Sequence, residues 1–209
     1  MNRKDTEARE EKETGRVEAF SDGVFAIAIT LLILDLHVPR DLPDPAALSD
    51  ALLRQWPSYL AFFTSFALIG IMWINHHKLF TLIRRSDHLL LVFNLLLLLG
   101  ATVTPFTTSL LAGYIGSDGQ KVAAVAYMGN FFMIAIFFNL LWRYASIGRR
   151  LLGSDISEDE VAAINRAYDL GPPVYLACLV IAYFSVPVAL GLTIALVIFY
   201  ALPLGANAR

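Results

Sequence analysis

Charge is scarce in this sequence: 16% of its 209 residues are Asp, Glu, Lys or Arg, while 57% are hydrophobic. That balance excludes a domain with an ordinary solvated surface and belongs to membrane proteins. The few charges do not lean positive either. With a net charge of −2 and a pI near 6.1, no whole-chain attraction to nucleic acid is expected, because phosphate binding needs concentrated positive charge. A single cysteine, Cys178, rules out an internal disulfide and, lying in an apolar run, reads as packing. An apolar signal-peptide core is missing from the first 16 residues, so the first hydrophobic segment is expected to insert and stay. Also missing are a nucleophile elbow, a metal-ligand motif and a nucleotide loop. Nothing therefore supports an enzyme using Asp22 and His77 as acid and base, and neither a cofactor nor a bound metal is expected. No domain boundary, internal repeat or low-complexity stretch is evident.

What the sequence does have is long apolar runs. A bilayer-spanning helix needs about 20 mostly apolar residues. Val17–Leu36 supplies one, interrupted by Glu18, Asp22 and Asp35, and further runs follow at Gln55–Asn75, Leu89–Gly116 and Val122–Trp142. The last uncharged run, Leu170–Ala208, is 39 residues, close to two crossings at about 1.5 Å per residue. Ser185, Val186 and Pro187 divide it. The expected fold is an all-α integral membrane protein: a tail at 1–16, then a membrane domain at 17–209 with spans at 17–36, 55–76, 89–114, 121–142, 171–185 and 187–205. Pro105 is expected to kink the third span rather than end it. Ser157 and Glu160 have capping-box spacing, which predicts a short amphipathic helix leading into the fifth.

Arg and Lys in the flanks set the orientation, because positive residues stay cytoplasmic. An even number of spans puts 13 of them on the side of both termini, and Arg40, Arg54 and Lys121 on the other. Both termini are thus expected in the cytoplasm.

Polar groups inside spans are costly in lipid and face protein or water. Here they gather at one depth: Arg16, Ser21 and Asp22 on the first span, Trp73, Asn75, His76 and His77 on the second, and Asn94 on the third. A hydrogen-bonded network among them would satisfy Asp22. It reads either as a structural lock between helices or as a proton or ion site built on Asp22 and a histidine. His76 and His77 lie about 100° apart on a helix, unsuited to sharing one metal. Trp73 and His77, four residues apart, share a face, which favours His77 as the network member.

On the first helix, at about 100° per residue, Phe20, Thr30, Leu31 and Leu34 all fall within about 60° of Ile27, whereas Asp22 lies about 140° away. If Asp22 holds neighbouring helices, this stripe faces lipid, a subunit interface or a central axis.

The string Arg16-x-x-x-Phe20-Ser21-Asp22-Gly23, continuing through Val24 to Leu32, resembles the signature of the transmembrane protein 175 family of potassium channels, and Trp73-Ile74-Asn75-His76-His77 is similar to the family pattern. The resemblance extends along all six spans. It implies a prokaryotic member with one six-helix unit, where the animal lysosomal proteins carry two. It further implies a homotetramer in the plasma membrane whose first helices line a central pore passing potassium and other monovalent cations, with no partner beyond itself and the bilayer. In that arrangement Ile27 is the narrowest ring, Leu31 and Leu34 add hydrophobic layers, and Thr30 offers hydroxyls. Arg16, Ser21, Asp22, Trp73, His77 and Asn94 form the scaffold network. The sequence carries no Thr-Val-Gly-Tyr-Gly filter loop.

An apolar ring blocks ions by dewetting and must widen to conduct, and potassium sheds water more readily than sodium. The outer segment Asp35–Arg54 sets Asp35, Asp41, Asp44 and Asp50 against Arg40 and Arg54, which attracts cations or simply solvates a loop. The alternatives are a proton-permeable channel and a secondary transporter, both using the Asp22/His77 network. A transporter's paired Gly/Pro-broken helices in two related halves are not apparent.

Overall fold

The computed structural model of the chain describes residues 3–40, 44 and 47–201. Helix α1 (Arg3–Leu31) tightens into a 3-10 turn at Leu32–Asp35; α2 (Ala47–Arg54) is short; α3 (Trp56–Leu82), α4 (His88–Tyr114), α5 (Gln120–Ser146), α6 (Glu158–Phe184) and α7 (Val186–Ala201) complete the chain. Five of these segments are long and apolar enough to cross a membrane, and α7 is a shorter apolar helix. The protein is all-helical among the described residues, a multi-pass membrane fold. Asp41, the end of the last predicted span and Arg209 lie outside the described residues.

Two stretches differ from the sequence expectation. The charged segment before residue 17 is helical from Arg3 and continuous with the first span. Its Lys, Arg, Glu and Ala are strong helix formers with no proline among them. Likewise the lead-in to the fifth span is not a separate helix. Ser157 caps it, its side chain accepting the Glu160 N–H at 3.2 Å, and α6 then runs unbroken through Pro172 and Pro173. Proline removes the N–H that would bond the carbonyl four residues back. For Pro172 that carbonyl belongs to Tyr168, and Asn139 Nδ2 on α5 donates to it at 3.1 Å, so a neighbouring helix supplies the missing bond. Ser185 is extended (φ −150°, ψ 103°) and separates α6 from α7, which carries Pro187 in its first turn.

Helix α4 continues through Pro105. It packs closely on α5 at Gly100, where a Cβ would lie 2.4 Å from Ile134 Cγ1. Leu97, Leu111, Tyr127, Met128, Leu141 and Trp142 fill the α4–α5 core without exposure above 1%. The α3–α4 and α5–α6 connections are stitched together by an antiparallel bridge between Ile83 and Leu152, with Arg84 N–H donating to Leu151 O at 2.9 Å. Asp87 caps α4 by accepting the Leu90 N–H at 2.9 Å, takes a second bond from Tyr144 Oη at 2.6 Å and lies 3.3 Å from the Arg150 guanidinium.

Candidate functional site

Helix α1 and the 3-10 turn that follows it meet the bundle along Ser21, Phe25, Ala28 and Leu32, all at most 2% exposed and spaced three or four apart. Its opposite face is bare: Phe20 is 57% exposed, Ile27 61%, Leu31 42% and Leu34 69%. Thr30 is exposed on the same side, its hydroxyl donating back to Ile27 O at 2.9 Å. A helix of only apolar residues has no reason to prefer one rotation. Here Ser21 and Asp22 are bonded to the neighbouring helices, and the stripe on the other side is exposed.

Two separate sets of bonds hold that rotation. The inner set is a buried relay in which each donor points the same way. Ser21 Oγ–H donates to Val17 O at 2.8 Å, Asn94 Nδ2–H donates to Ser21 Oγ at 3.0 Å, and His76 Nε2 lies 2.9 Å from Asn94 Oδ1. Because the serine proton is committed to the backbone, Ser21 accepts from the asparagine; the amide is thereby oriented, and His76 must carry its proton on Nε2. No ionised group is needed. His76 is wholly buried between Phe25 (edge-on, centroids 5.4 Å) and Phe80 (stacked, 4.4 Å), and its Nδ1 has no partner among the described residues.

The outer set is a ladder of two rungs between antiparallel α1 and α3. Trp73 Nε1–H donates to Asp22 Oδ1 at 2.9 Å, and one turn away His77 Nδ1 lies 2.5 Å from Glu18 Oε1. Four residues forward on α1 are matched by four back on α3, so both rungs lie on one face of each helix. The Trp73 and His77 rings stack with centroids 6.3 Å apart. Beside the Trp73 rung a cleft of about 350 Å³ opens between Ala26 on α1 and Gly70 on α3.

The predicted polar residues therefore gather on three helices but not in one network. Ser21 and Asn94 share the buried relay; Asp22 and Trp73 share a rung; Arg16 is exposed and joins none of these groups among the described residues. It is His76, not His77, that reaches Asn94, while His77 faces Glu18. The rotation of α3 decides this, since two neighbouring residues cannot both point at α4. Glu18 and His76, both noted in the sequence, are bonded here although the expected network did not include them. Glu18 was legible, because it stands one turn before Asp22 on the same face. Among the described residues no cluster of three or more His, Cys, Asp or Glu is placed to hold a metal ion.

Comparisons with known proteins agree on one family. The family profile described as "Endosomal/lysosomal potassium channel TMEM175" matches residues 16–105. A potassium channel from Chamaesiphon minutus is 48% identical over 197 residues, covering 94% of this chain and 97% of that protein. Another from Streptomyces collinus is 41% identical, covering 90% and 91% respectively. The crystal structure of a lysosomal potassium-selective channel TMEM175 homolog from Chamaesiphon minutus superposes with a TM-score of 0.84 at 46% identity, over 94% of this chain and 100% of that one. The chain thus belongs to the TMEM175 family, a family of ion channels rather than enzymes.

Proposed function

We propose that this protein is a potassium-preferring cation channel of a prokaryotic plasma membrane. Four copies surround a central pore lined by α1, and both termini face the cytoplasm. The observation that carries the reading is the division of α1 into an anchored face and an exposed one: Ser21 and Asp22 are bonded to α4 and α3, while Ile27, Leu31 and the following Leu34 remain exposed in the single subunit. Family membership supports turning that bare face to an axis rather than to lipid.

In this arrangement Ile27 forms the narrowest ring, and Leu31 and Leu34 continue it outward as hydrophobic layers. Such a ring excludes ions when narrow and conducts when widened, and potassium passes more easily than sodium because it surrenders its water at lower cost. Thr30 donates its proton to Ile27 O, which leaves the lone pairs of its hydroxyl free to face a passing cation. Ser21, Asp22, Trp73, His77 and Asn94 serve as scaffold, with Glu18 and His76 added to them, while Arg16 stands apart from these bonds among the described residues. The positive-side excess of Arg and Lys supports the orientation.

A second reading, proton permeation, is favoured by the 2.5 Å contact of His77 with Glu18, two titratable groups exchanging a hydrogen bond at the cytoplasmic end of α1. One experiment separates the two. Purified protein in planar bilayers is given opposed potassium and sodium gradients, then a pH gradient alone. A reversal potential that follows potassium and ignores pH supports the first reading. One that follows pH supports the second, and a current requiring a fixed ratio of two ions would contradict both.

A further inference from the structure

A second cavity, away from α1, lies between α3 and the α5–α6 pair, with a volume of about 140 Å³. It exists because residues that face it on α5 and α6 are small: Ala135, Ala167 and Gly171. Gly171 is not there for backbone reasons, since its φ is not left-handed and a Cβ would meet only Ala135 Cβ, at 4.0 Å. Elsewhere the lining is aromatic or soft, with Phe131, Phe138, Tyr168, Tyr175 and Met72. Asn75 is its one amide, standing inside an apolar membrane span on α3. Among the described residues Asn75 forms no hydrogen bond, unlike Asn94, Asn130 and Asn139, whose amides are all engaged. A polar side chain left uncommitted beside a cavity in a membrane span is costly and is available to bond a ligand there.

We propose that this cavity binds a small neutral molecule of single-ring size with one hydrogen-bonding group, a phenol or aromatic alcohol being the fitting class, entering from the bilayer. Size sets the first limit: a dry cavity of about 150 Å³ holds benzene, whereas a lipid acyl chain would project far beyond it. Charge sets the second, for no Asp, Glu, Lys or Arg lines the space, so an ionised ligand would lose its hydration without compensation. Aromatic edges and the Met72 thioether suit a ring, and the Asn75 amide both donates to and accepts from a hydroxyl. Ala167 is exposed and Gly171 and Tyr175 are half-buried on α6, the long helix with the least buried apolar window, so the route in is lateral.

The test is a fluorine NMR titration of 4-fluorophenol with the protein in lipid nanodiscs, empty nanodiscs of the same lipid being subtracted. Binding is read directly, so the result does not depend on where the pore lies. Saturation at one molecule per subunit is expected, with affinity about five- to tenfold weaker in Asn75→Leu, which keeps the volume and removes the amide. Gly171→Leu, filling the cavity from α6, should abolish the saturable signal. If that variant does not fold, Ala135→Leu, filling it from α5, takes its place. Equal binding in wild type and a folded, filled variant would overturn the proposal, as would a signal no greater than that of empty nanodiscs.

Discussion

Trp73 donates its indole N–H to Asp22 at 2.9 Å, one turn from the 2.5 Å contact between His77 and Glu18, and this pair of rungs joins α1 to α3 beside the buried apolar contacts of Phe25 and Ala28. The rung carries a clear expectation. Trp73→Phe keeps an aromatic ring but strands the Asp22 carboxylate without its donor, whereas Asp22→Asn keeps an acceptor for the indole. Trp73→Phe should therefore lower the thermal midpoint of the purified protein more than Asp22→Asn does, by about 1–2 kcal/mol of stability. Equal losses would mean that the bond does not hold α1.

The His76–Asn94–Ser21 relay predicts coupling. Removing any one member leaves a buried polar group unpaired, at about 1–3 kcal/mol. The double replacement His76→Phe with Asn94→Leu should cost less than the two single losses added together, because both ends of the His76–Asn94 bond are then gone and only Ser21 Oγ loses a donor. Unfolding measurements on the four proteins of that cycle check it; strict additivity would show that the two side chains act independently.

Helix α6 offers a rescue experiment. Asn139→Leu leaves the Tyr168 carbonyl with neither its helical donor nor its substitute, and should destabilise by about 1–3 kcal/mol. Adding Pro172→Ala restores an N–H at the position that bonds Tyr168 in an ordinary helix. The double variant should recover most of the loss in a thermal melt. A further loss would mean that Asn139 acts through something other than this carbonyl.

These cases mark how much was legible beforehand. The apolar runs were plain, because a bilayer demands a length that few other environments do, and the outward stripe of α1 followed from the angle between Ile27 and Asp22. Ser185 was readable as a break since Pro187 follows closely. The continuity of α6 was not: whether Pro172 ends a helix depends on Asn139, 33 positions earlier on a different helix. The division of labour between the two histidines was hidden for a related reason. Trp73 and His77 do share a face, but that face meets Glu18 and Asp22, and only the packing of α3 against α4 shows that His76 is the one turned toward Asn94. The uncommitted amide of Asn75 gave no signal in sequence, because an asparagine's partners are a matter of three dimensions.

The connections before α4 and after α5 carry a pH dependence. Burial pushes the Asp87 carboxyl up, but hydrogen bonds from Tyr144 Oη and the Leu90 N–H, with the Arg150 guanidinium nearby, outweigh it and hold the group below its ordinary 3.8. A carboxylate depressed in the native state adds stability that is fully present above its unfolded value and is lost as pH falls through the native one. The wild type should thus lose stability relative to Asp87→Asn as pH falls below about 3.8 toward the native value. Melting both proteins across that range tests it; a constant difference would remove Asp87 from the acid response.

The central claim is that the bare face of α1 lines the conduction path, and cysteine accessibility at Ile27 tests it most directly. Cys178, the sole native cysteine, is buried and can be replaced by serine to clear the background. In Ile27→Cys channels reconstituted in planar bilayers, a thiol-reactive cation applied from the aqueous side should reduce potassium current about tenfold or more, as a charged group fixed at the narrowest ring must. Modified protein whose current is unchanged would put Ile27 against lipid and contradict the account.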